Sequence, residues 1–321
     1  MHKKLGKYSV STVVATLLLI LVTVGVSVIS YFWVSGYVGS ATTSDFRSYP
    51  LLKIVAVEGY RGHVVVHVQN IGESKAVIDT LYLETPTGNV IAVGKPVNPN
   101  IVNPKEIVAV AFNVGIVPDG KYHIHISSSS GVSASYGQVY LKLTSGTPAI
   151  VFSEAKLRGT GENTIELYNP TSAPINLTYY TVVVENPLWD CNRVVRVQLL
   201  NVEYSSVYYQ SQTVSCPYVN ETVTQANIYI SPETVIIPPR SYLVFRIDSP
   251  EIFDIIKFTV KILDYNNNTI DDAKQWLSGA QDGIDPQIQS LQRVSILPPT
   301  WIFADPTFGQ PNSSEGVEAS T

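Results

Sequence analysis

Two hydrophobic rhythms divide the chain. From Tyr8 to Thr43 no residue is charged, and apolar side chains follow one another without the gaps of a half-buried surface helix. About 20 such residues span a bilayer, so a single membrane-length helix is expected from about Tyr8 to Val38. A helix over the whole uncharged stretch runs roughly 54 Å, against a bilayer core of about 30 Å. The stretch is longer than the apolar part of a secretory signal. Tyr31, Phe32 and Trp33 cluster where an interfacial aromatic belt would sit. Small residues at four-residue spacing, Ser11 with Ala15 and Thr23 with Ser27, offer a face for close helix approach.

Beyond Ser48 the rhythm changes to short apolar runs broken by Gly, Pro and Asn. LLKIVAVEGY, HVVVHVQN, AVIDTLYLE, EIVAVAFNV and KYHIHIS read as strands. Strands at short spacing with no helical period predict an all-β sandwich over 45–145. Thr144-Ser145-Gly146-Thr147-Pro148 has a linker's composition, and a second sandwich is expected over 146–312, with insertions at 186–232 and 264–288 and a flexible tail at 313–321. The predicted fold is mainly β: one long N-terminal hydrophobic α-helix followed by two immunoglobulin-like β-sandwiches.

Charge sharpens this picture. The net charge is -5 over 321 residues. Lys3, Lys4 and Lys7 are the only formal charges before Asp45, so the body is more acidic than the whole. The basic tip places the N-terminus in the cytoplasm and the body outside the cell. An acidic body argues against a nucleic-acid partner. Charged residues are only 15% and hydrophobic residues 45%, which is not the composition of a disordered chain. Two cysteines and five histidines leave little for iron-sulfur or zinc-cluster chemistry.

The string GKYSVSTVVATLLLILVTV, followed by YFWVSGYV, resembles the N-terminal domain of archaeal type IV pilins over roughly the first 40 residues. That resemblance implies a filament subunit whose helix packs against copies of itself, made with a pilus assembly machinery. It also implies cleavage by a prepilin peptidase after a small residue, by position Gly6, ahead of Lys7. Leu5 stands where the family prefers a charged residue. The Asn70-Ile71-Gly72 turn, Pro104 and the Gly120-Lys121-Tyr122 strand entry are similar to the immunoglobulin-like bodies of such pilins.

The C-terminal half resembles the lamin-tail domain, a non-catalytic immunoglobulin-like binding and scaffolding module, over about 148–312. The resemblance rests on Ser153-Glu154, Ile165 to Pro170, Pro174 to Leu177, Pro238 to Val244, Ser290 to Arg293 and Pro306 to Asn312. Tyr179-Tyr180 replaces the usual Trp. The expected function is therefore a pilin-like surface filament subunit. The alternative is a monomeric membrane-anchored surface glycoprotein that uses the lamin-tail-like domain to bind a surface ligand or glycan.

Candidate chemistry is sparse. His63 with His67, and His123 with His125, each share a strand face. They would meet at a metal if their strands were neighbours; otherwise they are the polar side of alternating strands. Cys191 and Cys216 are expected to form a disulfide outside the cell, closing a loop of about 25 residues. Tyr204, Tyr208, Tyr209, Tyr218 and Tyr229 crowd the same insertion and suit surface contact or cover the sandwich. Asp264, Asn266, Asn268 and Asp272 alternate like calcium ligands, although Thr269 and Gln275 stand where such a loop needs Gly and Glu; the other reading is an Asn-rich turn. Asn176, Asn220, Asn267 and Asn312 open glycosylation sequons. Glu154 and Glu166 could pair as acid and base or lie on solvated strand edges. No nucleophile elbow, phosphate loop, H-E-x-x-H or dinucleotide fingerprint occurs, so no enzyme activity and no cofactor beyond calcium are expected.

Overall fold

A run of Val, Leu and Ile without proline forms helix α1, Thr12–Thr42. Three of its hydroxyl side chains turn back onto their own backbone. Thr16 Oγ1 donates to Val13 O at 2.9 Å, Thr23 Oγ1 to Ile20 O at 2.9 Å and Ser27 Oγ to Thr23 O at 2.7 Å. These polar groups therefore need no external partner in an apolar surrounding. Every side chain from Val13 to Ser35 is exposed. Val13–Ser35 is long and apolar enough to cross a membrane.

The computed structural model describes residues 12–42, 49–98, 100–157, 162–188, 191–199, 208–215, 225–231, 234–248, 257–276, 289–315 and 317–318. The chain divides into two compact units, Met1–Tyr49 and Pro50–Thr321. The second unit is β throughout its described elements.

Its first sheet uses β1 (Leu52–Tyr60), β2 (His63–Asn70), β3 (Ala76–Glu84), β4 (Val90–Pro96), β5 (Ile101–Val102), β6 (Ile107–Asn113), β7 (Gly120–Ser128) and β8 (Ser133–Leu141). The order is β1-β2-β6-β4-β3-β7-β8, with β5 paired to β3. The sheet rolls over so that its two ends meet: a Cβ placed on Gly59 in β1 would lie 3.1 Å from the Leu141 side chain in β8. A side chain there would press on Leu141, so the close approach favours glycine.

The second sheet uses β9 (Val151–Lys156), β10 (Glu162–Tyr168), β12 (Thr181–Leu188), β13 (Cys191–Gln198), β14 (Tyr208–Ser215), β15 (Gln225–Ser231), β17 (Tyr242–Asp248), β18 (Lys257–Leu263), β19 (Thr269–Trp276), β20 (Ser290–Ser295), β21 (Thr300–Ala304) and β22 (Val317–Glu318). The order is β19-β18-β12-β13-β14-β15-β17-β10-β9-β20-β21-β22, and β11 (Ile175–Asn176) pairs separately with β16 (Ile236–Ile237). The described strands of 186–232 are thus members of the sheet, not an appended loop. Val317–Glu318 pairs with Ile302–Phe303, so this part of the expected flexible tail is held as an edge strand.

The two sheets share a wall. Val64, Val66 and Val68 of β2 point into one core with Leu81, Phe112 and Ile124. Val65 of β2 and its register partner Ala111 of β6 pack on the opposite side with Phe152, Tyr180 and Phe258. A strand buried on both faces reads as a continuous apolar run, which accounts for the Val64-Val65-Val66 triplet. The Thr144–Pro148 segment is pinned as well: Thr147 O accepts from Arg61 N at 2.9 Å, and Asp119 Oδ1 accepts from Thr144 N at 2.7 Å.

Candidate functional site

Glu154 and Glu166 face each other across the β9–β10 ladder as register partners. Both are fully buried, which corrects the expectation of solvated strand edges. The cover is the segment from Asp305 to Asn312. Thr307 N donates to Glu154 Oε1 at 3.0 Å and Thr307 Oγ1 to Oε2 at 3.1 Å; Ser290 Oγ adds a donor at 2.5 Å and Gln292 Nε2 another at 3.3 Å. Gly309 N donates to Glu166 Oε2 at 2.5 Å. Gly309 sits at φ 81°, where only glycine is unstrained. Glu166 Oε1 is buried with no hydrogen-bond partner. Burial pushes the Glu166 carboxyl up to about 7, against the pull of the Gly309 N–H, and Glu154 adds to the rise. Burial likewise raises Glu154 above the ordinary carboxylate range despite its donors.

Asn312 fastens the end of this segment, donating to Ser153 O at 2.8 Å and Arg293 O at 2.8 Å. Arg293 in turn forks onto Asp271, Nη1 to Oδ2 at 2.7 Å and Nη2 to Oδ1 at 3.2 Å, and lies 4.7 Å above the Trp301 ring. Asn169 is a second buried clamp. Its amide donates to Ala173 O and Ile237 O, and its oxygen accepts from Thr171 N at 2.9 Å. A cleft of about 400 Å³ opens beside Ser153, Tyr168, Tyr242, Arg293 and Asn312. Tyr168 and Tyr242 pack there at a tilt of 36°, with ring centres 4.8 Å apart. The cleft lining has no histidine, cysteine or carboxylate, so it offers hydroxyls, amides and rings for contact and no nucleophile with a base.

A second polar cluster fills the seam between the two sheets. His63 Nε2 lies 2.8 Å from Tyr180 Oη, and both side chains are fully buried. Burial lowers His63 to about 4, so its ring is neutral at pH 7. Asn113 Nδ2 donates to Asp264 Oδ2 at 3.3 Å and approaches Tyr180 Oη at 3.5 Å. At the other end of the seam, His67 Nε2 lies 2.7 Å from Glu58 Oε1, which also accepts from Ser172 Oγ at 2.7 Å; Tyr60 Oη donates to Oε2 at 2.6 Å. Burial alone would raise Glu58, but these hydrogen bonds hold its carboxyl below the ordinary value.

The four histidines do not converge. The β2 strand pairs with β1 and β6, whereas β7 pairs with β3 and β8, so the metal reading is overturned. His125 packs on Tyr82 instead. Nor is the polar-face reading right for His63, which is the buried seam residue. Asp264, Asn266 and Asn268 do share one turn, between β18 and β19. There Asp264 Oδ1 accepts from Asn266 N and Asn268 N at 2.8 Å each, and Oδ2 from Asn268 Nδ2 at 3.1 Å. Asp272 stands apart in β19 as the register partner of Lys261. Both Asp264 oxygens are thus occupied by protein donors, the pattern of a capped hairpin turn. Among the described residues no group of three His, Cys, Asp or Glu is placed to hold a metal.

Among the sequons, Asn267 is exposed at the tip of that turn, Asn176 is half-buried in β11, and Asn312 is the clamp already described. Asn220, Cys216, Tyr204, Tyr218, Gly6, Lys7 and Ser11 lie outside the described residues, as do the side chains of Cys191, Tyr208, Tyr209 and Tyr229. Asn192, next to Cys191, pairs with Ser215, the residue before Cys216.

No protein-family model matches the chain, and no curated protein matches it. Among solved structures, the red sea bream transglutaminase crystal structure shows a distant likeness at 11% identity and a TM-score of 0.21. The match covers 75% of this chain and 33% of that one.

Proposed function

We propose that the chain is a subunit of an extracellular filament of the archaeal type IV pilin kind, with α1 in the filament core and the β unit outside. The observation that carries this reading is α1 itself: it is apolar on every side, and its described side chains from Val13 to Ser35 are all exposed. Such a helix needs an apolar surrounding on all faces. A bilayer supplies it before assembly, and neighbouring copies supply it afterwards. At about 46 Å the helix exceeds the roughly 30 Å a bilayer core requires. A groove along Thr23, Val24, Ser27, Val28 and Tyr31 gives a second copy room to approach.

The β unit supports a binding and scaffolding role. Most polar atoms of its buried clusters meet the protein's own partners, Glu166 Oε1 and Arg293 Nε excepted, and its cleft lining has no carboxylate or histidine. Among the residues behind the lamin-tail resemblance, Glu154, Glu166, Asn169, Arg293 and Asn312 serve as fastenings. The second reading, a membrane-anchored monomer, uses the same helix and topology. The disulfide proposed between Cys191 and Cys216 belongs to either reading, since both place the β unit outside the cell.

Negative-stain microscopy of surface material sheared from cells, with mass spectrometry of its N-terminus, tests the assignment. Filaments containing this chain, starting near Lys7, are expected. Recovery of the chain only from membranes, with its leader intact and no filaments, would leave the anchored monomer.

A further inference from the structure

We infer that Asn267 is a site of N-linked glycosylation, and that the sequons at Asn176 and Asn312 stay bare. The inference rests on the extracellular location proposed for the β unit. A sequon is used only where an oligosaccharide-transferring enzyme can reach both the Asn amide and the hydroxyl two residues on. The three described sequons differ sharply on that point.

At Asn312 the amide nitrogen donates to Ser153 O at 2.8 Å, Ser153 Oγ at 3.1 Å and Arg293 O at 2.8 Å. A sugar on that nitrogen would break the fastening that holds the segment over Glu154 and Glu166. At Asn176 the backbone N–H donates to Val97 O, across the seam, at 2.7 Å. Its side-chain oxygen accepts from Thr178 N at 2.9 Å and Thr178 Oγ1 at 2.6 Å. The sequon hydroxyl is therefore engaged by its own asparagine, and both residues are half-buried. At Asn267 the situation is reversed. The residue sits at φ 62°, a left-handed conformation that Asn tolerates at a turn tip. Its backbone N–H closes the turn onto Asp264 O at 2.9 Å, while Asn267 and Thr269 are both exposed. Asp264 caps the turn from beneath, so the tip keeps its shape without help from the Asn267 side chain.

The placement has a consequence for the surface. Two residues from Asn267, Tyr265 is 45% exposed and lines a seam groove of about 440 Å³ together with Tyr179, which is 58% exposed. A glycan on Asn267 would leave the turn two residues from Tyr265, whose ring face suits contact with an amphipathic partner. It would shield the groove from other ligands.

The test is glycopeptide mapping of the full chain from its native membrane, beside protease shaving of intact cells. The expected result is a glycan mass on the Asn267 peptide, unmodified peptides for Asn176 and Asn312, and loss of that one glycan from intact Asn267→Gln protein. A bare Asn267 in protein that the protease sheds from intact cells overturns the assignment, as does a glycan on Asn312. A body protected from the protease overturns the outside location itself, and this assignment with it.

Discussion

The helix and the β unit handle their surfaces in opposite ways. From Val13 to Ser35 the helix leaves every apolar side chain exposed, while the hydroxyls of Thr16, Thr23 and Ser27 are satisfied by its own backbone. The β unit buries its apolar residues in two adjoining cores and goes further, enclosing carboxylates, an arginine and a histidine with their partners. One region leaves its apolar surface uncovered; the other covers its own and leaves Glu166 Oε1 and Arg293 Nε as buried polar atoms without partners. In the proposed filament, lipid and then other copies supply what the helix lacks. There the β unit has no such need and is placed outside the helical core.

The largest effect should come from making the helix unfit for its apolar partner. An aspartate at the middle of an apolar helix costs about 3 kcal/mol on insertion scales, and a filament meets that cost at every subunit. Leu19→Asp is expected to abolish filaments and reduce the membrane-bound fraction, read by sedimentation of sheared material and membrane flotation. A chain starting at Pro50 is expected to be a soluble monomer with a β circular dichroism spectrum. Filaments from that shortened chain would break the comparison, since assembly would then lie in the closed unit.

Next in size is opening the closed unit from inside. Arg293 is buried, forked onto Asp271 and stacked on Trp301. Removing one partner of a buried pair strands the other charge and costs about 3–5 kcal/mol. Arg293→Ala should lower the stability of the β unit by that amount in urea unfolding of the chain from Pro50. A change within 1 kcal/mol would mean that Asp271 finds water or another donor, and that the cluster is less closed than its geometry indicates.

The contrast between regions was partly legible in the residues. The uncharged run and its length announce α1, because nothing distant is needed to interpret them. Alternating apolar runs likewise announce most strands of the first sheet. Burial of the polar residues was not legible. Glu154 and Glu166 alternate as solvent-facing residues should, and what covers them is Thr307 and Gly309, 153 and 143 residues later. His63 meets Tyr180 across 117 residues. The Val64-Val65-Val66 triplet was the available signal that β2 is covered on both faces. The conformation of Asp264 was also hidden: alternating oxygens describe a cation loop and a capped hairpin equally well, and only the donors from Asn113, Asn266 and Asn268 distinguish them.

The smallest expected effects are pH dependences, of opposite sign in the two polar clusters. The fully buried His63 has its folded value lowered to about 4 from 6.5. The unfolded chain therefore binds the proton first, and stability is lost as pH falls from about 6.5 towards 4. Glu166 is raised to about 7 from 4.5. There the folded state holds the proton longer, so stability is lost as pH rises from about 4.5 to 7 and stays lower above it. Each contribution is at most about 3 kcal/mol, and over pH 5–6.5 they partly cancel. Single substitutions should separate them. His63→Gln keeps a hydrogen-bonding group near Tyr180 but removes the titration, so it should flatten the acid limb of a stability-versus-pH curve. Glu166→Gln keeps an acceptor for Gly309 N and should flatten the limb approaching pH 7, raising stability at pH 8 relative to pH 5. Urea midpoints of the chain from Pro50 between pH 4 and 8 measure both. If Glu166→Gln leaves that slope unchanged, the carboxyl pair is open to water and the segment from Asp305 to Asn312 does not seal it.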